Sequence, residues 1–102
     1  MSKSGAYRLV DGTWFAVKVN GCCIYFTDMM VVNCCADSLW LEMEIVGNQI
    51  TIYEHEYGEI LCLCICDYPI DADAGPFESG TYTLTVYEDF SGLIGSTTFT
   101  IN

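Results

Sequence analysis

The chain has 102 residues, 52% of them hydrophobic and only 17% charged, against about 25% charged in an ordinary soluble domain. Fourteen acidic residues against three basic ones give a formal net charge of −11, which repels phosphate backbones and anionic headgroups and excludes a nucleic-acid partner. The length suits one domain over residues 1–102, and no apolar run approaches the roughly 18 residues of a membrane-spanning helix.

Residues 1–10, MSKSGAYRLV, lack the apolar core of a secretion leader, and the strand pattern opens at residues 7–10. Residues 13–19 alternate Phe15, Val17 and Val19 against Trp14, Ala16 and Lys18. After Cys22-Cys23, two short extended runs are expected at residues 24–27 and 29–32, followed by an asparagine-led turn at Asn33-Cys34-Cys35. Residues 39–56, LWLEMEIVGNQITIYEHE, read as a hairpin, with Gly47 and Asn48 supplying the positive φ of a two-residue turn. If Val46 faces Gln49, Ile45 pairs with Ile50 and Met43 with Ile52 on the buried face, while Glu44 meets Thr51 and Glu42 meets Tyr53 on the other. The same register sets His55, the only histidine, beside Trp40 as an outer stacking pair.

Residues 61–68 begin LCLCIC, a strand expected to turn Leu61, Leu63 and Ile65 into the core and three thiols to the other face. Asp71, Asp73 and Glu78 faintly suggest a calcium loop but read better as a solvated strand end. Gly80-Thr81-Tyr82 has the spacing of a tyrosine corner, with Tyr82 opening the strand of residues 81–87. Residues 97–101 close the set. Seven or eight short alternating runs without a helical window describe an all-β, antiparallel β-sandwich, in which the connections at residues 74–80 and 89–95 are the default contact regions.

The seven cysteines are the one chemically distinctive feature. Residues two apart on a strand lie about 6.6 Å apart and point the same way, so Cys62, Cys64 and Cys66 should not bridge one another. The preferred disulfide partners are Cys34 or Cys35 with Cys62 or Cys64, leaving Cys22, Cys23 and Cys66 as free or intermolecular thiols. Two other readings stay open: reduced, buried thiols, and thiolate ligation of zinc or copper(I), for which adjacent and one-apart spacings are unusual. No nucleophile, base and oxyanion set can be assembled, and no cofactor motif occurs, so a non-enzymatic role is expected.

The segments NCCAD (33–37), GNQITIYEHE (47–56), CLC (62–64) and SGTYTLTVY (79–87) resemble a group of small immunoglobulin-like β-sandwich domains of bacterial lipoproteins and other envelope proteins. The resemblance covers the C-terminal two-thirds of the chain; Cys22, Cys23 and Cys66 fall outside it. It implies an extracellular or cell-envelope module without catalysis, its paired cysteines joined across strands. The expected partner is a protein, a ligand, or another copy of the chain assembling by edge-strand pairing.

Overall fold

The computed structural model describes residues 7–11, as backbone, and residues 15–102. Thr13 and Trp14, expected on the second strand, lie outside the described residues. Eight strands follow in order: β1 (Tyr7–Asp11), β2 (Phe15–Asn20), β3 (Cys23–Asn33), β4 (Ser38–Val46), β5 (Gln49–Tyr57), β6 (Ile65–Ala74), β7 (Gly80–Glu88) and β8 (Gly92–Ile101). They form two four-stranded sheets, ordered β1-β2-β3-β6 and β4-β5-β7-β8, stacked as a β-sandwich. Among the described residues no helix is long and apolar enough to cross a membrane.

Alternation fills the space between the sheets. Phe15, Val17 and Val19 of β2 and Ile24 and Phe26 of β3 pack against Ile50 and Ile52 of β5, Leu84 and Val86 of β7, and Phe99 and Ile101 of β8. The two runs expected at residues 24–27 and 29–32 are one strand, because a single inward row from Ile24 to Val32 continues through Asp28. The β4–β5 hairpin has the expected register, Ile45 opposite Ile50, Met43 opposite Ile52 and Trp40 opposite His55. Its turn differs from the expected one in that only Gly47 has positive φ, 59°, as a turn with glycine at its first central position requires. Asn48 instead ties the hairpin to β7: its side-chain amide donates to the Thr81 carbonyl (2.8 Å), and its own carbonyl accepts from the Thr83 N–H (2.9 Å).

Not every pair is antiparallel. β5 and β7 run parallel because the chain leaves β5, crosses to the other sheet as β6 and only then returns as β7. Tyr82 makes the corner: its hydroxyl donates to the Glu78 carbonyl at 2.7 Å, while its ring stacks on Phe99 and tilts against Phe77. A register shift at Val86/Tyr87 leaves Ile94 of β8 without a partner in the ladder, a bulge beside Glu88.

Ile45 and Met43, expected on the buried face, are instead exposed, because β4 is an edge strand and only their β5 partners reach the core: Ile50 is 1% exposed and Ile45 51%. Ile50→Ala is expected to cost about 2–5 kcal/mol, the usual range for truncating a buried isoleucine. Ile45→Ala should cost less than about 1 kcal/mol, since about half of that side chain already meets water. Urea denaturation of both variants checks the contrast.

Candidate functional site

The sulfur cluster is assembled by Asn33, the last residue of β3. Its side-chain oxygen accepts the N–H of Cys35 (3.0 Å), the local turn expected of an asparagine, and the N–H of Cys62 (3.1 Å). Its side-chain amide donates to the Cys62 carbonyl at 2.7 Å. One amide thereby grips both backbone groups of Cys62, and the Cys34 N–H adds a bond to the Cys64 carbonyl at 3.1 Å. Gly58 admits this arrangement, because a Cβ there would stand 2.9 Å from the Cys35 carbonyl oxygen.

The consequence is that residues 61–64 of the strand expected at 61–68 are not extended into the sheet; β6 starts at Ile65. Leu61, Leu63 and Ile65, expected in the core, are exposed, while Cys62 and Cys66 are half-buried. The period-two pattern correctly separates the leucines from Cys62 and Cys66, but it is these two thiols that are partly covered, because Cys34 and Cys35 stand there, while Cys64 is exposed. Cys35 and Cys62 lie at disulfide distance with Cα atoms 5.6 Å apart. Cys34 lies at disulfide distance from both Cys64 and Cys66, with Cα separations of 5.5 and 5.1 Å. These separations suit a disulfide, but one sulfur closes only one such bond, so either Cys64 or Cys66 keeps its thiol. Cys66, expected to be free or intermolecular, thus belongs to the cluster.

Cys22 and Cys23, by contrast, are exposed free thiols at the β2–β3 turn, their sulfurs 3.9 Å apart. Hydrogen bonding to the Cys22 thiol, with smaller contributions from desolvation and from the neighbouring Cys22 and Asp73 charges, pushes the Cys23 thiol above its ordinary value. A raised value disfavours the thiolate and the nucleophilic chemistry that depends on it. Asp71 and Asp73 sit on β6 and are exposed, Asp71 accepting a 2.9 Å hydrogen bond from the Tyr25 hydroxyl, so the calcium-loop spacing marks part of a strand.

The alternation also carries acids inward, which the sequence reading missed. Asp28 follows Phe26 on β3, Glu54 follows Ile52 on β5, and Glu88 follows Val86 on β7; all three are buried. Extending each apolar row by two residues would have found them. Burial first, then hydrogen bonding and charge from Asp28 and charge from Glu88, push the Glu54 carboxyl up to about 9. Glu54 is therefore protonated at neutral pH when nothing else neutralises the group.

On the outer face His55 lies 5.2 Å from the Trp40 ring, as expected, and also between two carboxylates. Its Nε2 is 2.9 Å from Glu42 and its Nδ1 is 3.2 Å from both oxygens of Asp89. Only the imidazolium can donate from both nitrogens at once. Comparison with protein-family profiles, with curated protein sequences and with solved structures found no match.

Hydrogen bonding to Glu42, ahead of the contribution of Asp89 and against some desolvation, raises His55 above its ordinary value. The charged form is therefore favoured in the folded state. The stabilisation from this pairing is fully present below the unfolded-state value near 6.5 and is lost as pH rises through the higher folded value. A ring-proton NMR titration should give a midpoint above 6.5, and Glu42→Gln should lower it.

Proposed function

We propose that this chain is a non-catalytic β-sandwich module that works outside the reducing cytoplasm and binds another protein, with disulfides holding one end of the sandwich in shape. The observation that carries the reading is the convergence of Cys34 and Cys35 with Cys62, Cys64 and Cys66, from two separate segments, at disulfide distance. Such cross-links persist in oxidising compartments and are most useful to domains too small to rely on their core alone. The resemblance of the cysteine and SGTYTLTVY segments to envelope immunoglobulin-like domains supports the same setting. Around the cluster Ile60, Leu61, Leu63 and Ile65 are exposed, an apolar rim of the kind that meets a partner. A non-enzymatic role is supported by His55, whose two ring nitrogens are both occupied by carboxylates.

Alkylation of the unfolded, unreduced protein is expected to label three thiols, Cys22, Cys23 and one of Cys64 or Cys66, and reduction should release four more. Labelling of all seven cysteines without reductant would refute the reading. Bound zinc or copper at one equivalent per chain would favour thiolate ligation by Cys34, Cys64 and Cys66, whose sulfurs lie within 4.8 Å of one another. Reduction should lower stability by about 3–4 kcal/mol, the entropy of one closed loop of about 30 residues. The second cross-link adds far less, because it is nested inside the first and closes only a few more residues.

A second reading, self-assembly by strand pairing, is favoured by β4, a nine-residue edge strand exposing Trp40, Ile45 and Val46. Glu42 and Glu44 on that edge and a net charge of −11 oppose pairing between copies. Light scattering at rising protein concentration and at low and high salt separates the two: the module stays monomeric throughout, whereas a self-assembling subunit grows as salt screens its charge.

A further inference from the structure

Asp28, Glu54 and Glu88 converge from three strands and two sheets. Glu54 and Glu88 are register partners in the parallel β5–β7 pair, and Asp28 reaches them from β3 in the facing sheet. Each offers an oxygen within 4.8 Å of the other two. They are 8%, 0% and 3% exposed respectively. One oxygen of Asp28 accepts the Met29 N–H (2.8 Å) and one of Glu88 accepts the Val31 N–H (2.7 Å). The remaining oxygen of each, and both oxygens of Glu54, are buried and accept no hydrogen bond from any group outside the three acids.

Three carboxylates held this close and out of water need a neutralising partner. Among the described side chains the one Lys or Arg is Lys18, which stands on the outer face of β2 over the Tyr25 ring at 5.9 Å. His55 is likewise turned outward, to Glu42 and Asp89. A cavity of about 230 Å³ reaches two of the acids, Asp28 and Glu88, and is otherwise lined by Ser91 and the apolar Met29, Val31, Leu93 and bulged Ile94; it gives room for several water molecules beside those two carboxyl groups.

We infer that Asp28, Glu54 and Glu88 bind a hard divalent cation of the calcium class between the sheets, with water from the adjoining cavity completing its coordination. The donors are all carboxylate oxygens, which hard cations prefer and which soft metals do not. Oxygens this close can share one ion, and calcium's flexible coordination suits donors fixed by three strands of two sheets, whereas magnesium demands a near-ideal octahedron with ligands at about 2.1 Å. The four oxygens without an outside donor fall short of the six to eight that calcium takes, and the cavity supplies the water to make up the difference. The site uses none of the cysteines, so it stands or falls separately from the disulfide reading.

The test is calorimetric titration of calcium chloride into the full, oxidised chain after stripping with chelator, in 0.15 M sodium chloride, with thermal unfolding measured in parallel. One saturable equivalent and a rise in Tm with calcium are expected, with magnesium at least tenfold weaker. Glu54→Gln and Asp28→Asn should each weaken calcium binding at least tenfold. Both should also raise the Tm of the calcium-free protein at neutral pH, Glu54→Gln because the amide is neutral between the sheets without taking up a proton on folding, and Asp28→Asn because it removes one of three crowded acids; that melt shows in addition that the variants fold. Asp71→Asn with Asp73→Asn, on the outer face of β6, should change neither. Absence of saturable binding at millimolar calcium, equal binding by Glu54→Gln and Asp28→Asn, or tighter binding of magnesium overturns the assignment.

Discussion

Successive side chains of a strand point to opposite faces, so once Ile50 and Ile52 are committed to the interior of β5, Glu54 must follow them. The same holds for Asp28 after Ile24 and Phe26, and for Glu88 after Leu84 and Val86. Moving any of these acids to water by slipping its strand one residue would expose the whole apolar row to which it belongs. The core therefore forces the acids inside. Parallel pairing of β5 with β7 brings Glu54 level with Glu88, and the stacking of the sheets brings Asp28 to both. A sandwich built on this alternation has to hold its carboxyl groups neutral, by a shared proton or by a cation.

The acids also do structural work along β3. Among the described residues β2 accompanies β3 as far as the Phe15–Asp28 pair, while β6 continues beside it to Asn33. On the side facing away from β6, the N–H groups of Met29, Val31 and Asn33 are taken up by the carboxylates of Asp28, Glu88 and Glu56, at 2.8, 2.7 and 3.1 Å. Carboxylate oxygens stand where a neighbouring strand's carbonyls would be. An edge satisfied in this way offers fewer free donors to another chain, one of the means by which sheets avoid unwanted pairing. Pro69 fits the same geometry: it lacks an N–H and lies opposite Met29, whose own N–H points away from β6 to Asp28.

Local rules in the sequence were enough to read the β4–β5 hairpin, its register, the Tyr82 corner and the Trp40–His55 pair, because each depends on residues close in the chain or directly across one turn. The LCLCIC segment shows where such rules stop. Alternation says that Leu61, Leu63 and Ile65 share one face and the thiols the other, but not which face is covered. That is decided by Asn33, 29 residues away from Cys62, whose side chain grips it and turns the sulfurs toward Cys34 and Cys35. The parallel β5–β7 pair was equally hidden, since it depends on β6 crossing to the opposite sheet. The inward acids were legible in principle, since the alternation already pointed to them, but an acid at the end of an apolar row reads most readily as the point where the row leaves the core.

Residues 29–35 are where these constraints meet. The ladder to β6 holds one side of this stretch, carboxylates from β5 and β7 hold its free amides from the facing sheet, and the Asn33 amide with the sulfur cluster fixes its end. Asn33 belongs to both systems at once: its backbone N–H donates to Glu56 while its side chain clamps Cys62. A cross-link between Cys35 and Cys62 keeps the Asn33 clamp closed, and a closed clamp keeps the Asn33 N–H directed at Glu56, two residues beyond Glu54 on β5. Neutralising the buried acids in turn lowers the cost of holding Glu88 against Val31. Sulfur and carboxylate chemistry thus hold one short stretch of backbone from opposite sides. Loosening either removes a restraint on the geometry that the other needs.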